Sequence, residues 1–233
     1  MIMRIRSIIG IVLFSLILLV PLPVYAGTGL LSGKVICLDP GHGGSDPGAV
    51  NGNLYEKDIN LDVAYHLKSL LEVDGATVVM TRVDDSYKSN NDRYTFANKQ
   101  GATILVSIHT NSVSSSNADG TCTLYMKKTD KVLAQVLQDT MYPALLVKAP
   151  DPSVFLNRGL IRFASGVLLK AKMPSAMAEP VFMSHPGEAN RLAVPIYMDN
   201  GLKLNPSCDG CRRAQIAQAV HDGTLNYFTS GKS

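Results

Sequence analysis

Short apolar runs of strand length alternate along this chain with segments whose apolar residues have helical spacing. The predicted buried strands are rich in β-branched residues and bounded by Gly, Asp or Asn: residues 35–38, 77–80 and 103–108. Between the first two strands, one helix face is marked by Ile59, Val63, Leu67, Leu70 and Leu71. A second helix is predicted at residues 91–99. This alternation limits the chain to folds in which helices cover a largely parallel sheet.

The rest of the chain continues the same pattern. Residues 121–126 and 175–179 are predicted strands, and residues 212–228 a last helix. A helical pattern runs from Val132 to Leu145, and Pro143 is expected to bend or end that helix. Residues 148–152 and 199–210 are predicted loops. We therefore predict a single α/β domain with an open, mostly parallel, twisted sheet and helices on both faces.

The first 26 residues differ from the remainder. Arg4 and Arg6 precede a thirteen-residue apolar run at residues 8–20, and small residues around Ala26 offer a cleavage site. This pattern is typical of a secretory signal peptide, and the run is shorter than the roughly 20 residues that span a bilayer. We predict a signal peptide at 1–26, an exported domain at 27–233, and membrane contact only through an uncleaved signal segment.

The charge and the cysteines exclude some classes of protein. The formal net charge of the chain is +3, and it falls to +1 without the signal segment, which contains two arginines and no acids. A formal net charge this close to zero gives no support for a nucleic-acid partner. Four cysteines are too few for a disulfide-dependent scaffold, and Cys208 and Cys211 lack the second pair that a zinc ribbon needs. We interpret this pair as a local disulfide or as free thiols.

Three ionisable residues follow the ends of predicted strands. His42 lies in a glycine-rich segment after the first strand, His109 ends the third, and Glu179 ends the strand at 175–179. In an open α/β sheet, groups beyond the carboxyl ends of parallel strands share one crevice. Two histidines and a carboxylate match the donors of a catalytic zinc ion, which keeps one position open for water.

Each of these residues also has an ordinary structural interpretation. A histidine at a strand end is usually a hydrogen-bonded polar residue, and glycines around His42 can mark a turn. Glu56, just ahead of an amphipathic helix, can interact with the helix dipole. We give His66 and His221, both on predicted helices, the structural interpretation. The coincidence of the other residues at one sheet edge favours a functional site.

The motifs around these residues resemble a known family. The sequence Leu-Asp-Pro-Gly-His-Gly-Gly-Ser-Asp-Pro-Gly-Ala at residues 38–49, followed by Glu-Lys-Asp-Ile-Asn-Leu at 56–61, is similar to the opening of the zinc-dependent N-acetylmuramoyl-L-alanine amidases. Further matches follow in the family's order: Thr81-Arg82, Arg93 with Ala97-Asn98, residues 107–111, residues 157–160 and Met173-Pro174. The resemblance runs from about Lys34 to Phe228.

The resemblance implies both a reaction and a set of site residues. It implies hydrolysis of the amide bond between N-acetylmuramic acid and L-alanine in peptidoglycan, outside the cytoplasmic membrane, in the cell wall, the periplasm or the extracellular space. It assigns Zn²⁺ to His42, Glu56 and His109, and the catalytic carboxylate to Glu179. Candidates for substrate binding or for support of the metal ligands are Asn60, Arg93, Asn111 and Arg158. The short layout resembles amidases of sporulation or cortex maturation, and the sequence identifies no activating protein.

The chain departs from the family's pattern at two places near these residues. The family usually has Gly two positions after the catalytic glutamate, where this chain has Val181, and this substitution puts the geometry of that loop in question. Cys122 stands where many relatives carry an acid. The loop at 200–211 is also longer than usual.

Two alternative functions use the same residues. A zinc carboxypeptidase would need a cation to hold a terminal carboxylate, and Arg158 is the candidate for that role. A non-catalytic wall-binding relative would fit the change at Val181, but it would keep costly buried charges without a use for them.

Overall fold

The computed structural model describes residues 29–198, 203–205, 208 and 210–231 of the 233-residue chain. The predicted signal peptide at 1–26 lies outside the described residues. The described strands are β1 (Val35–Pro40), β2 (Val50–Asn51), β3 (Leu54–Tyr55), β4 (Thr77–Met80), β5 (Ile104–Ile108), β6 (Asp119–Tyr125), β7 (Phe155–Arg162), β8 (Ser175–Glu179), β9 (Tyr197–Met198) and β10 (Lys203–Leu204). The described helices are α1 (Glu56–Val73), α2 (Asn90–Lys99), α3 (Lys131–Leu146), α4 (Gly166–Lys170), α5 (Pro186–Leu192) and α6 (Arg212–Thr229).

Six strands form the central sheet, in the order β4-β1-β5-β8-β6-β7. All neighbouring pairs are parallel except β6 and β8, which are antiparallel. The mostly parallel open sheet predicted from the sequence is therefore confirmed. Strands β1, β5 and β8 lie side by side in the middle of the sheet, so their carboxyl ends meet at one edge.

Helices cover both faces of this sheet, as predicted. Along β1, Ile36 and Leu38 face a large core that also contains residues of α1, α3 and α6. Cys37, between them, faces a smaller core with residues of α2 and α4. This alternation follows from the two-residue period of a strand, and it explains why the buried strands have continuous apolar sequences.

The structure differs from the sequence prediction at several elements. The edge strand β7 was not predicted, because most of its residues are exposed and its sequence contains Asn157, Arg158 and Gly159. Helix α3 continues to Leu146 and so does not end at Pro143. Within the predicted loop at 199–210, the described part contains β10, which pairs with β9 in a short antiparallel hairpin. The other predicted strands and helices occur within a few residues of their expected bounds.

Two further observations concern the predictions about the cysteines and the membrane. Cys208 and Cys211 form a disulfide next to the start of α6, and Cys37 and Cys122 are buried free thiols. Among the described residues, no helix combines the length and the apolar character needed to cross a membrane.

Candidate metal centre

The residues predicted to form a site meet at the carboxyl edge of the central strands. His42 follows β1 by two residues, His109 follows β5 directly, and Glu179 is the last residue of β8. Glu56 is the first residue of α1. Because β1, β5 and β8 are parallel neighbours, the chain brings residues far apart in sequence to one crevice.

His42, Glu56 and His109 form a cluster that could hold a metal ion. Their nearest donor atoms all lie within 4.8 Å of one another. Nε2 of His42 lies 3.2 Å from Oε2 of Glu56, and Nδ1 of His109 lies 3.0 Å from Oε1 of the same carboxylate. Two imidazole nitrogens and one carboxylate are a donor set that several divalent metals accept.

Two glycines beside this cluster have no side chain, and the cluster occupies the space where their Cβ atoms would lie. A Cβ atom on Gly41 would lie 2.3 Å from the ring of His109. A Cβ atom on Gly48 would lie 2.6 Å from Oε2 of Glu56 and 2.6 Å from the ring of His42. The glycine-rich segment thus lets the backbone pack directly against the three candidate ligands.

His42 adopts an unusual backbone conformation. Its φ of 60° is the only positive value among the described non-glycine residues. This left-handed conformation costs a residue other than glycine about 1–2 kcal/mol, so the surrounding contacts must hold it in place. Such strain at a candidate ligand is typical of a functional site.

The carboxylate of Glu56 is held by hydrogen bonds from three segments. The backbone N–H of Ala49 donates to Oε2 at 2.9 Å, and that of Thr110 donates to Oε1 at 3.1 Å. Nδ2 of Asn60 donates to Oε1 at 3.2 Å, and the amide oxygen of Asn60 accepts from the hydroxyl of Thr110. Asn60, predicted as a supporting residue, therefore orients a candidate ligand.

The electrostatics of the cluster favour a positive charge between its members. Burial disfavours the charged form of His42, but hydrogen bonds and charge from Glu56 and Asp46 outweigh it and raise the pKa of His42 to about 9. The pKa of His109 is also raised, because Glu56 and Glu179 overcome the effect of burial. Burial likewise opposes ionisation of Glu56, but the two histidines hold its pKa well below the usual value. Protons on the imidazoles or a metal cation can supply that positive charge.

Glu179 lies in the same crevice as the cluster but in a different environment. It lines the cavity of about 550 Å³ that also exposes His42, Glu56 and His109. Its Oε2 atom is buried and has no hydrogen-bond partner among the described residues. Burial raises the pKa of Glu179 to about 7, although the nearby histidines lower it. Such a carboxyl group can exchange protons near neutral pH.

The other candidate residues have different positions. Arg93 lines the cavity but is buried, and it donates to the Asp39 carboxylate and to the carbonyl oxygens of Pro40 and His42. Asn111 also lines the cavity, and its Nδ2 lies 3.6 Å from Sγ of Cys122.

Arg158 is not brought into the cavity. It lies on the edge strand β7, where its guanidinium stacks on Phe182 and donates to the carbonyl oxygen of Asp119. His66 and His221 lie outside the cluster, as interpreted from the sequence, and hydrogen-bond to Tyr197 and to Asp74.

The loop after Glu179 accommodates Val181 without strain. Val181 does not have a positive φ, it is fully buried in the main core, and its carbonyl oxygen accepts from the backbone N–H of Asn111. Its backbone conformation at this position therefore does not require glycine.

Three supporting residues occur in the family motifs of the sequence but were given no role there. Asp46 hydrogen-bonds His42, and the buried Asp39 accepts from Thr81 and Ser107 as well as from Arg93. Arg82 donates to the backbone of the same loop. A signal was present for two of them, because Asp39 and Arg82 follow the predicted strands at 35–38 and 77–80.

An α/β sheet whose carboxyl edge carries a His–Glu–His cluster beside a buried carboxyl group is typical of metal-dependent hydrolases. Comparison with known proteins identifies the family within this class. Residues 36–203 match the model of the N-acetylmuramoyl-L-alanine amidase family. The chain belongs to this family.

Individual relatives agree with this assignment. The chain is 31% identical over 196 residues to the N-acetylmuramoyl-L-alanine amidase LytC of Bacillus subtilis (strain 168), covering 84% of this chain and 36% of LytC. It therefore spans about a third of the length of that relative. It is 32% identical over 216 residues to the germination-specific N-acetylmuramoyl-L-alanine amidase of the same organism, covering 85% and 81% of the two chains.

Solved structures share the fold. The crystal structure of an N-acetylmuramoyl-L-alanine amidase from Clostridium difficile 630 superposes with a TM-score of 0.68 at 33% sequence identity. The superposition covers 85% of this chain and 98% of that structure.

Proposed function

We propose that this chain hydrolyses the amide bond between N-acetylmuramic acid and the L-alanine of peptidoglycan stem peptides. The observation that carries the proposal is the shared crevice of the His42–Glu56–His109 cluster and Glu179 in a member of the amidase family. In this proposal, three of the four residues bind the metal and the fourth, Glu179, transfers a proton.

The cluster fits a zinc ion held by His42, Glu56 and His109. These three residues would hold the ion, because they offer two imidazole nitrogens and a carboxylate oxygen that all lie within 4.8 Å of one another. Two neutral imidazoles and one carboxylate leave the ion a net positive charge and leave room for a fourth ligand. When bound, zinc supplies a Lewis acid that polarises the substrate carbonyl and acidifies water.

Glu179 is the group that moves the proton. As a carboxylate it accepts a proton from the attacking water, and as a carboxylic acid it returns that proton to the departing amine of L-alanine. Both forms are accessible, because burial places the pKa of Glu179 at about 7. Its Oε2 atom accepts no hydrogen bond among the described residues, so a proton bound there displaces no other donor.

The carboxypeptidase alternative has less support. The cation considered for binding a terminal carboxylate, Arg158, stacks on Phe182 and does not line the cavity. The family match also names an amidase. The non-catalytic alternative rested on Val181, which the loop accommodates in an ordinary backbone conformation.

Digestion of purified peptidoglycan distinguishes the three functions. Amidase activity releases intact stem peptides with a new amino-terminal L-alanine and leaves glycan strands with free lactyl carboxyl groups. Release of single amino acids would indicate a carboxypeptidase, and binding without release would indicate a wall-binding protein. Metal analysis of the same preparation should find about one zinc per chain if the three ligands act together.

The setting of this activity is also part of the proposal. We infer that residues 1–26 direct export and that the mature chain begins at Gly27 and acts on the cell wall. The name of the germination-specific relative supports a role in spore cortex maturation or germination. Amino-terminal sequencing of secreted or wall-associated protein tests the export step, and an intact Met1 in the membrane fraction would indicate an uncleaved anchor.

A further inference from the structure

Arg82 is a buried cation whose hydrogen bonds all go to the backbone. It follows β4 by two residues, and only 2% of its surface is exposed. Its nitrogens donate to four carbonyl oxygens at 2.8 to 3.0 Å: those of Pro40, Gly41, Lys57 and Asp84. An arginine has five N–H groups in a rigid planar fork, so this arrangement uses nearly all of them in fixed directions.

No carboxylate among the described residues lies within ion-pair distance of Arg82. The other buried arginines each pair with an acid: Arg93 with Asp39, Arg212 with Glu188, and Arg213 with Asp62. Burial of a charge without an ion-pair partner costs free energy. A residue that only filled the core would be expected to be apolar. The four carbonyl oxygens instead make Arg82 a clamp on the backbone.

The clamped segments carry two of the candidate metal ligands. Nη2 of Arg82 donates at 2.8 Å both to Gly41, which precedes His42, and to Lys57, which follows Glu56. One nitrogen therefore joins the loop Pro40–His42, which we call the ligand loop, to the first turn of α1. Backbone hydrogen bonds from Glu56 and Lys57 to Ala49 and Pro47 join α1 to the glycine-rich segment that follows this loop. At Gly41, next to His42, the bond from Arg82 is shorter than the 3.5 Å contact from Asn60.

Arg93 completes the contact on the ligand loop. It donates to the carbonyl oxygens of Pro40 and His42 at 2.7 Å, so the two arginines together bind three successive carbonyl groups. The last of these belongs to the residue with the left-handed backbone. Gly43 packs on the side chain of Arg82, since a Cβ atom there would lie 3.0 Å from Cδ and Nε.

We propose that Arg82 is a positioning residue of the metal site, which holds the Pro40–His42 loop against the first turn of α1 and so fixes His42 relative to Glu56. This inference rests on the proposed metal site. It predicts that loss of the planar fork lowers metal affinity even where the fold is intact, because the two ligands would no longer be held at a fixed distance.

The test compares Arg82→Lys and Arg82→Met with the control Arg213→Lys in the full mature chain. Arg213 is also buried but is paired with Asp62, and neither residue lines the cavity that contains the cluster. Zinc affinity is measured by competition with a chelator, folding by circular dichroism, and ligand geometry by the visible spectrum of the cobalt-substituted protein. We expect both Arg82 variants to fold with zinc affinity about 10- to 100-fold lower and an altered cobalt spectrum, while Arg213→Lys keeps wild-type affinity.

The other outcomes contradict the inference in separable ways. Wild-type zinc affinity in the folded Arg82 variants would show that the clamp does not position the ligands, and the proposed metal site would stand. Equal losses in the Arg82 and Arg213 variants, or failure of both Arg82 variants to fold in saturating zinc, would assign Arg82 to general stability. An absence of zinc binding in the wild-type chain would overturn both this inference and the proposed metal site.

Discussion

Oδ2 of Asp46 lies 2.9 Å from Nδ1 of His42, while Nε2 of the same ring lies 3.2 Å from the Glu56 carboxylate. Asp46 is itself held in place, because its Oδ1 accepts from the backbone N–H of Gly48. A carboxylate on one imidazole nitrogen keeps the proton there and leaves the other nitrogen free to bind a metal. We therefore expect Nε2 of His42 to be the atom that binds the metal.

This pairing predicts the behaviour of Asp46 variants. Asp46→Ala should lower zinc affinity about 10- to 100-fold, because the ring loses its orientation and its fixed tautomer. Asp46→Asn should lose less, since the amide oxygen still accepts from Nδ1–H. Chelator competition measures both, with Asp84→Asn as the control, because Asp84 is an exposed aspartate outside the cavity. Equal zinc affinity in Asp46→Ala and the control would contradict this role.

Two glycines with the same backbone conformation provide a second prediction. Gly48 has φ 65° and Gly52 has φ 60°, but a Cβ atom would collide with Glu56 and His42 only at Gly48. Both alanine variants should lose about 1 kcal/mol of unfolding free energy from backbone strain. Only Gly48→Ala should also lose zinc binding and peptidoglycan hydrolysis. Urea unfolding and zinc titration on both variants separate the two effects, and comparable zinc loss in Gly52→Ala would refute the steric argument.

The lowered pKa of Asp39 predicts that this residue contributes to stability in a pH-dependent way. Burial would raise the pKa of Asp39, but the Arg93 guanidinium and the hydrogen bonds from Thr81 and Ser107 hold it below its usual value. A carboxyl group with a lowered folded-state pKa stabilises the fold above its unfolded pKa of about 3.9, and this stabilisation is lost as the pH falls through the folded-state value. Wild-type stability should therefore decrease below about pH 4, and Asp39→Asn should lack that part of the decrease.

The same variant should be less stable at neutral pH. Removal of one charge from a buried ion pair costs about 3–5 kcal/mol, because Arg93 would be left without its carboxylate. Urea unfolding between pH 3 and pH 7 gives both quantities. A pH profile parallel to that of the wild type would show that Asp39 does not carry the acid sensitivity.

Much of the sheet could be predicted from the sequence, for a physical reason. Strands β1, β4, β5 and β8 are short and mainly apolar, and the three central ones are buried on both faces, so their sequences are nearly continuous apolar runs. Strand β7 lies at the edge, where one side faces solvent and polar residues are tolerated, and no such run marks it. The burial that makes a strand detectable is therefore lacking at β7, whereas the other edge strand, β4, keeps an apolar sequence.

The candidate site was predictable only in part. His42, His109 and Glu179 could be found because residues at the ends of parallel strands converge. Arg82 follows a predicted strand, but its backbone partners and the contact of Asp46 depend on how the glycine-rich loop folds back. Neither spacing nor periodicity reports that path. The position of Arg158 also follows from tertiary structure, since the edge strand that carries it directs the guanidinium onto Phe182.

The most decisive variant concerns Glu179, because it separates metal binding from catalysis. Glu179→Gln preserves the shape of the side chain but cannot accept a proton, so zinc content should remain near wild type. Release of stem peptides should fall by about 10² to 10⁴, the usual effect of losing a general base. Zinc analysis and peptidoglycan digestion on one preparation test this, with Glu56→Gln as the matched variant that should lose metal. Loss of zinc in Glu179→Gln would make Glu179 a ligand, and near-normal hydrolysis would remove it from the proposed mechanism.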